Sequence, residues 1–353
     1  MQNQHKKRAA ILKVLFVPKA ISNPYQYILA KAMKPFGIEV EIQGHLPSFH
    51  CLLNRRRQIR IIHLHWLSVF YSGRLFYLRI IKFFLIILFA RFSGYKIVWT
   101  AHNLLPHQSI NPFIDIVARY LMILFANAII VHCEDAKLLL SKCFHRKRRV
   151  YVIPHGNYIG IYENSTTQKK ARNFLKIDDR KFVYLCFGKL LTYKRVDYLI
   201  ETFLRMDDKN SILLIAGQCT DIEKIRLTRI CGNSNQIRMD FGFIPEDKTQ
   251  FYFNAANVLV IPFSEVLTSG SIILGLSFGL PIIAPNQGCL TEMIDSRKGI
   301  LYSNNDPHGL LYAMQSIKKN DLKKMEQASY SYAETLDWRK IGLDTFGVYS
   351  KII

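Results

Sequence analysis

Acidic residues are scarce in this chain of 353: 26 Asp and Glu stand against 48 Lys and Arg, a net charge of +22. The deficit is concentrated at one end. Residues 1–150 hold 23 basic and 5 acidic side chains, a balance of +18, whereas residues 151–353 hold 25 and 21, a balance of +4. The amino-terminal half is therefore expected to face something anionic. Cysteines are few, an odd seven with no C-x-x-C pair, which indicates neither a disulfide framework nor a zinc site. No Asp-x-Asp pair occurs, so no metal site and no metal cofactor are expected. Long apolar runs are missing too. Residues 75–92 are interrupted by Arg79 and Lys82, and the longest clean run is 83–90, well short of the roughly 20 residues of a membrane span. A helix lying on a membrane, or one mostly buried, fits that segment better. No cleavable signal sequence opens the chain, so the cytoplasm is the expected compartment.

Half of the residues are hydrophobic, ample for packed cores, and the length favours two domains. Strand-like runs alternate with helical patterns, the signature of an α/β chain with parallel sheets. Strands are expected at 13–17, 37–42, 59–64, 96–100, 128–132 and 149–153, with helices at 25–33, 74–92, 112–126 and 134–142. A turn, Pro154-His155-Gly156-Asn157, and a polar stretch at 163–172 then precede a second series. Its strands are expected at 182–187, 211–216, 237–241, 257–261 and 281–284, with helices at 194–206, 221–231, 247–255 and 270–278. Residues 306–353 read as helical, with Trp338 a docking point. Two doubly wound parallel sheets facing a crevice are the simplest architecture. The expected division is a basic domain over 1–160, a second domain over 161–310, and helices over 311–353 packing back across the domains.

The most informative stretch is 262–285. An apolar strand leads into the small loop Thr268-Ser269-Gly270-Ser271, which opens a helix ending at Gly279-Leu280-Pro281. Unpaired N–H groups at such a helix start form an anion site suited to phosphate. The second sheet opens with Gly188 and Lys189 at a strand end, followed by Lys194. The two lysines could grip a diphosphate from the other side and stabilise its departure. Taken singly, Lys189 reads better as a solvated surface residue.

Gly188-Lys189-Leu190 with Lys194, the 154–157 turn, Gly242-Phe243-Ile244-Pro245, Gly279 to Ala284 and Thr100-Ala101-His102-Asn103 together resemble nucleotide-sugar glycosyltransferases of the GT-B fold. The resemblance covers roughly residues 60–295 and implies two Rossmann-like domains. The carboxyl domain would bind a nucleotide diphosphate sugar, through Gly188, Lys189, Lys194 and Thr268 to Ser271, and the amino domain would bind the acceptor. It also implies that His155 and Glu292 meet the nucleotide or sugar, although a carboxylate at a helix start is expected for capping as well. Many retaining members carry two glutamates eight residues apart across the donor loop. Here those positions are Val266 and Leu274, and Glu265 lies one residue out of register. The Thr-Ser-Gly variant, with His63-Leu64-His65-Trp66, resembles a bacterial subgroup described as GDP-mannose:glycolipid β-mannosyltransferases.

That resemblance implies inverting transfer of a hexose, with mannose and GDP-mannose the leading candidates, to a lipid-linked glycan in bacterial polysaccharide assembly. Inversion needs a base for the acceptor hydroxyl. The candidates are His65, His102 and His107 at strand ends of the first sheet, with His102 favoured, and Glu265. A retaining reaction using Glu265, and a non-catalytic nucleotide- or glycan-binding protein, are the alternatives. The basic groups at 6–8, 55–57 and 145–149 read as solvated charge, as a nucleic-acid site or as an anionic-membrane contact. They lack interleaved aromatics, so nucleic acid is not expected. Peripheral attachment to the inner face of the cell membrane is preferred.

Overall fold

Strands buried on both faces of a parallel sheet are largely apolar, as are the expected runs 182–187 and 257–261, whereas 37–42 and 237–241 carry charged residues. The computed structural model describes residues 11–20, 23–73, 75–104 and 111–353. The chain divides into two compact units, one of residues 1–155 with 338–353 and the other of 156–337.

Among the described residues the first unit holds six parallel strands: β1 (Leu12–Val17), β2 (Ile38–Ile42), β3 (Ile59–Leu64), β4 (Lys96–Thr100), β5 (Ala128–Val131) and β6 (Val150–Val152). Their spatial order is β2-β1-β3-β4-β5-β6, a doubly wound arrangement in which neighbouring carboxyl ends line one edge. Val14, Phe16, Ile61, Val98 and Ile130 form the core with Leu29 from the helix Tyr25–Met33, and with Ile341 and Val348 from the helix Trp338–Ser350. The last helix thus completes the first unit. It comes close to the helix Tyr25–Met33 because Gly342 has no side chain: a Cβ there would lie 2.7 Å from the Ala32 carbonyl oxygen. The helix Pro112–Phe125 starts where Asn111 accepts a hydrogen bond from the Ile114 amide and proline occupies the first turn.

The second unit holds β7 (Phe182–Phe187), β8 (Ser211–Gly217), β9 (Ile237–Phe241), β10 (Val258–Val260), β11 (Ile282–Pro285) and β12 (Gly299–Tyr302). All are parallel, in the order β12-β11-β10-β7-β8-β9. Two expectations need correction. β12 is not among the expected strands; it opens on Gly299, a residue type that strands disfavour. The stretch 163–172 is partly helical, because Thr167 caps a helix Gln168–Phe174, and Phe174 stacks on Phe251 with ring centres 4.1 Å apart. No helix among the described residues is long and apolar enough to cross a membrane.

The close approach at Gly342 yields a direct test. Gly342→Leu should force the two helices of the first unit apart and cost ~1–3 kcal/mol. Chemical denaturation should register this as a lower midpoint, whereas an unchanged midpoint would show the approach to be slack.

Candidate active site

Within the second unit, the carboxyl end of β7 turns sharply at Gly188, whose φ of 103° lies in the left-handed region. The chain continues through a short 3-10 turn, Thr192–Lys194, that folds the Lys194 side chain back under the strand end. Its Nζ donates to the Phe187 carbonyl at 3.1 Å and to Ser271 Oγ at 3.2 Å. Glycine is required at 188 for a second reason: a Cβ would fall 2.9 Å from Ser271 Oγ and 3.1 Å from Lys194 Nζ. Gly217, ending β8, is equally constrained, since a Cβ there would meet the Gly188 carbonyl oxygen at 1.9 Å.

Ser271 lies in the first turn of the helix Gly270–Ser277, and Ser269 caps that helix by accepting from the Ile272 amide at 3.3 Å. The structure therefore brings together Gly188, Lys194, Ser269, Gly270 and Ser271. Lys194 is 4% exposed and forms no ion pair among the described residues. Burial lowers its pKa from 10.5 to about 8. A desolvated ammonium held by neutral oxygens beside a helix amino terminus is an arrangement matched to phosphate oxygens.

The other residues singled out in this unit are spread more widely. Lys189 is exposed and Thr268 is half-buried. Glu265 is exposed on the loop, while Val266 and Leu274 are buried. Glu292 is an exposed residue in the first turn of the short helix Leu290–Met293. It helps push the Tyr332 hydroxyl up to about 12, although burial is the larger cause. Two features were not legible in the sequence. The Tyr158 hydroxyl stands at the amino end of the helix Gly270–Ser277, 3.3 Å from where a Gly270 Cβ would be. A cavity of about 290 Å³ is lined by Arg195, Tyr198, Ser264, Tyr302 and Asn304, and the buried Tyr302 hydroxyl has no hydrogen-bond partner among the described residues.

In the first unit, successive strand ends carry histidines. His63 and His65 end β3, His102 follows β4, His132 follows β5 and His155 follows β6. All five are buried. His65 Nδ1 lies 3.2 Å from His102 Nε2, and His102 Nδ1 lies 3.1 Å from His132 Nε2. His132 Nδ1 meets the Ile153 carbonyl at 2.9 Å. His63 is bonded separately, to the Tyr349 hydroxyl at 2.6 Å and to Thr100 Oγ1 at 2.7 Å. Tyr25 packs edge-on against His65, His102 and His132, with ring centres 4.9–5.9 Å apart, and tilted against His155 at 4.8 Å. Desolvation lowers the pKa of His63 to about 3 and of His132 to about 4, and holds His65 and His102 well below the usual range, so the rings are neutral. Both nitrogens of His102 are occupied by its neighbours. His155 takes its place in this row, with ring centres 5.6 Å from His132 and 6.1 Å from Trp338. His107 lies outside the described residues.

A doubly wound sheet whose strand-end turn, buried lysine and helix amino terminus converge defines a nucleotide-type binding domain. Residues 167–335 match the family described as glycosyl transferases group 1. The chain carries a group 1 glycosyltransferase domain and is a glycosyltransferase of the GT-B fold. It is 23% identical over 268 residues to a GDP-mannose:glycolipid 4-beta-D-mannosyltransferase of Xanthomonas campestris pv. campestris, covering 73% of this chain and 69% of that protein. Among solved structures, a sucrose-phosphate synthase from Thermosynechococcus elongatus superposes with a TM-score of 0.77 at 16% identity, over 96% of this chain and 98% of that one. The Anabaena protein HepE, in complex with UDP and glucose, superposes with a TM-score of 0.74 at 15% identity, over 96% and 100%.

The depressed Lys194 pKa makes the site pH-sensitive with a definite sign. Below pH 8 the side chain is charged in the ligand-free protein; above it the charge is lost, and a bound anion must restore the proton. Nucleotide affinity should therefore be level near neutrality and weaken by about tenfold per pH unit above 8. Calorimetric titration across that range checks it, and in Lys194→Met the slope should vanish.

Proposed function

We propose that the protein transfers a hexose, with mannose the first choice, from a nucleotide diphosphate sugar to a lipid-linked saccharide, inverting the anomeric centre. The observation that carries the donor side is Lys194: a buried cation paired only with neutral oxygens, beside the start of the helix Gly270–Ser277. The departing diphosphate gains charge where this ammonium and the helix dipole are already fixed, which favours its departure. Gly188 and Ser269 to Ser271 shape the clamp, and Lys189 supplies an outer cation. On this reading no metal is needed for the neutralisation. The name of the Xanthomonas relative supports GDP-mannose as donor and a glycolipid as acceptor. Inversion is supported by Val266 and Leu274, whose buried apolar side chains stand where a retaining enzyme of this resemblance would carry glutamates.

A membrane-bound acceptor fits a helical face of the first unit. The helix Phe76–Phe92 buries Phe83, Ile86, Ile87 and Ala90, and exposes Leu78, Ile81, Leu85 and Phe92. The helix Pro112–Phe125 packs beside it and exposes Phe113, Ile116, Tyr120 and Leu124. Arg79, Lys82 and Arg91 are exposed along the first of these helices. An apolar face flanked by cations suits an anionic bilayer, where each cation contributes about 1 kcal/mol.

The donor assignment is tested by thermal shift with GDP, UDP and ADP and their hexose conjugates. GDP-mannose should stabilise the protein selectively, by ~2.7 kcal/mol at a hundredfold excess over its dissociation constant. Lys194→Ala should lose this together with about 100-fold or more in kcat. An α-linked product would overturn inversion and bring Glu265 forward as a residue of a retaining reaction. Selective nucleotide-sugar binding without any transfer would indicate a binding protein instead.

Membrane attachment is tested by co-sedimentation with phosphatidylcholine vesicles, with and without phosphatidylglycerol. Binding should need the anionic lipid, and Ile81→Glu with Leu85→Glu should weaken it about tenfold or more while leaving the melting temperature unchanged. Wild-type protein that ignores anionic vesicles refutes the attachment.

A further inference from the structure

The histidine row of the first unit has a direction, and one carbonyl sets it. The Ile153 carbonyl can only accept, so His132 Nδ1, 2.9 Å away, carries the hydrogen. In a neutral ring His132 Nε2 is then an acceptor, and its 3.1 Å contact requires hydrogen on His102 Nδ1. His102 Nε2 is left bare, so it accepts from His65 Nδ1 across 3.2 Å. These tautomers are assigned from the partners, and the chain of assignments has one end. His65 Nε2 is a lone pair with nothing donating to it among the described residues, on a side chain that is 1% exposed.

A buried acceptor left without a donor costs roughly 1–3 kcal/mol. Of the six ring nitrogens of His65, His102 and His132, five are bonded among the described residues, and the three rings are organised around the sixth. His102 cannot offer a lone pair while it holds both neighbours, and His63 is bonded on both sides. The titratable groups around the row are His63, His155, Tyr25 and Tyr349, and the charges acting on His65 and His102 are those of the other histidines. Among the described residues no group of His, Cys, Asp or Glu is arranged to hold a metal ion. The rings are spaced to bond one another.

We infer that His65 Nε2 is the atom that takes the proton of the acceptor hydroxyl, and that His102 and His132 are positioning residues that draw the charge away along the row. This rests on the inverting transfer proposed above. The saccharide O–H bond breaks and its proton goes to His65 Nε2. The oxygen electron pair forms the bond to the anomeric carbon, and the bond from that carbon to the donor phosphate breaks, its pair leaving on the diphosphate. His65 Nδ1 passes its hydrogen to His102 Nε2, and His102 Nδ1 passes its own to His132 Nε2. The positive charge then rests on the ring that donates to Ile153, and it returns by the reverse path when the products leave. The three rings titrate as one unit rather than as separate bases.

Ring-nitrogen NMR of protein labelled with ¹⁵N-histidine tests the ordering without reference to activity. At neutral pH His65, His102 and His132 should all be uncharged and protonated on Nδ1. An Nε2–H tautomer at His65 or His102, or an imidazolium at any of the three, overturns it. The proton transfer is tested with GDP-mannose and an alkyl-linked disaccharide in detergent. His65→Gln should lower kcat about 100-fold or more with donor affinity kept within about threefold. His132→Gln, whose amide can still accept from His102, should lower kcat about tenfold and move the acid limb of its pH profile to lower pH, a displacement that loss of packing alone would not cause. Melting curves establish that both variants fold. Folded His65→Gln protein retaining more than a tenth of wild-type kcat sinks the inference and leaves the proposed function standing. Absence of transfer by the wild-type protein sinks the proposed function, and the NMR result still judges the row.

Discussion

An ammonium group removed from water at the end of β7 is the constraint on which the second unit is built. Taking a lysine out of water disfavours its charge, and burial lowers the Lys194 pKa to about 8, with a carbonyl and a hydroxyl as its hydrogen-bond partners among the described residues. The surrounding residues follow from that choice. Gly188 must lack a side chain so that Lys194 and Ser271 can meet beneath it, and Gly217 must lack one so that β8 can close against Gly188. The helix Gly270–Ser277 must begin where it does so that Ser271 faces the lysine. A carboxylate partner would have stabilised the ammonium more strongly, but it would also have satisfied the charge that a phosphate is suited to meet.

The first unit answers the same physical problem in the opposite way. Its strand ends are also desolvated, and they carry imidazoles rather than a cation. An imidazole can give up its proton and remain a polar, hydrogen-bonded group, so burial yields neutral rings instead of a stranded charge. The parallel sheet makes the row possible. Adjacent strands β3, β4, β5 and β6 end on one edge, so residues far apart in sequence stand a hydrogen bond apart in space. Tyr25 and Trp338 close the row with apolar ring contacts, and it is the helix bearing Trp338 that returns from the far end of the chain to do so.

Most of the architecture was legible because strand-like runs, several of them continuously apolar, alternate with helical patterns. Eleven of the twelve strands among the described residues stood out, and β12 escaped because it opens on Gly299 and has no apolar run beyond three residues. The site was legible in a different measure. Lys194, Gly188 and the Ser269–Ser271 loop could be named because a glycine turn, a lysine and a helix start are local signals. The partnership of Lys194 with Ser271 across 77 residues is not local, and neither is the asymmetry between a buried Lys194 and an exposed Lys189. The histidines were visible singly. Their connection was not, since it depends on strand order. His102 looked the best candidate because of its motif, yet the hydrogen bonds that consume both its nitrogens come from β3 and β5.

The scarcity of acids in residues 1–150 acquires a meaning once their partners are known. Glu39 pairs with Lys13, Glu41 with Arg55 and Glu134 with Lys137. Asp115 accepts from the Tyr71 hydroxyl at 2.8 Å. Asp135 occupies the first turn of the helix Glu134–Phe144, where the helix dipole favours a negative charge. Four of the five are thus bound to cations or to a phenol, and the fifth serves a helix terminus. A carboxylate among the histidine rings would have drawn a proton onto the row and fixed it as a cation. Burial keeps His63, His65, His102 and His132 neutral and leaves a lone pair at the open end of the row.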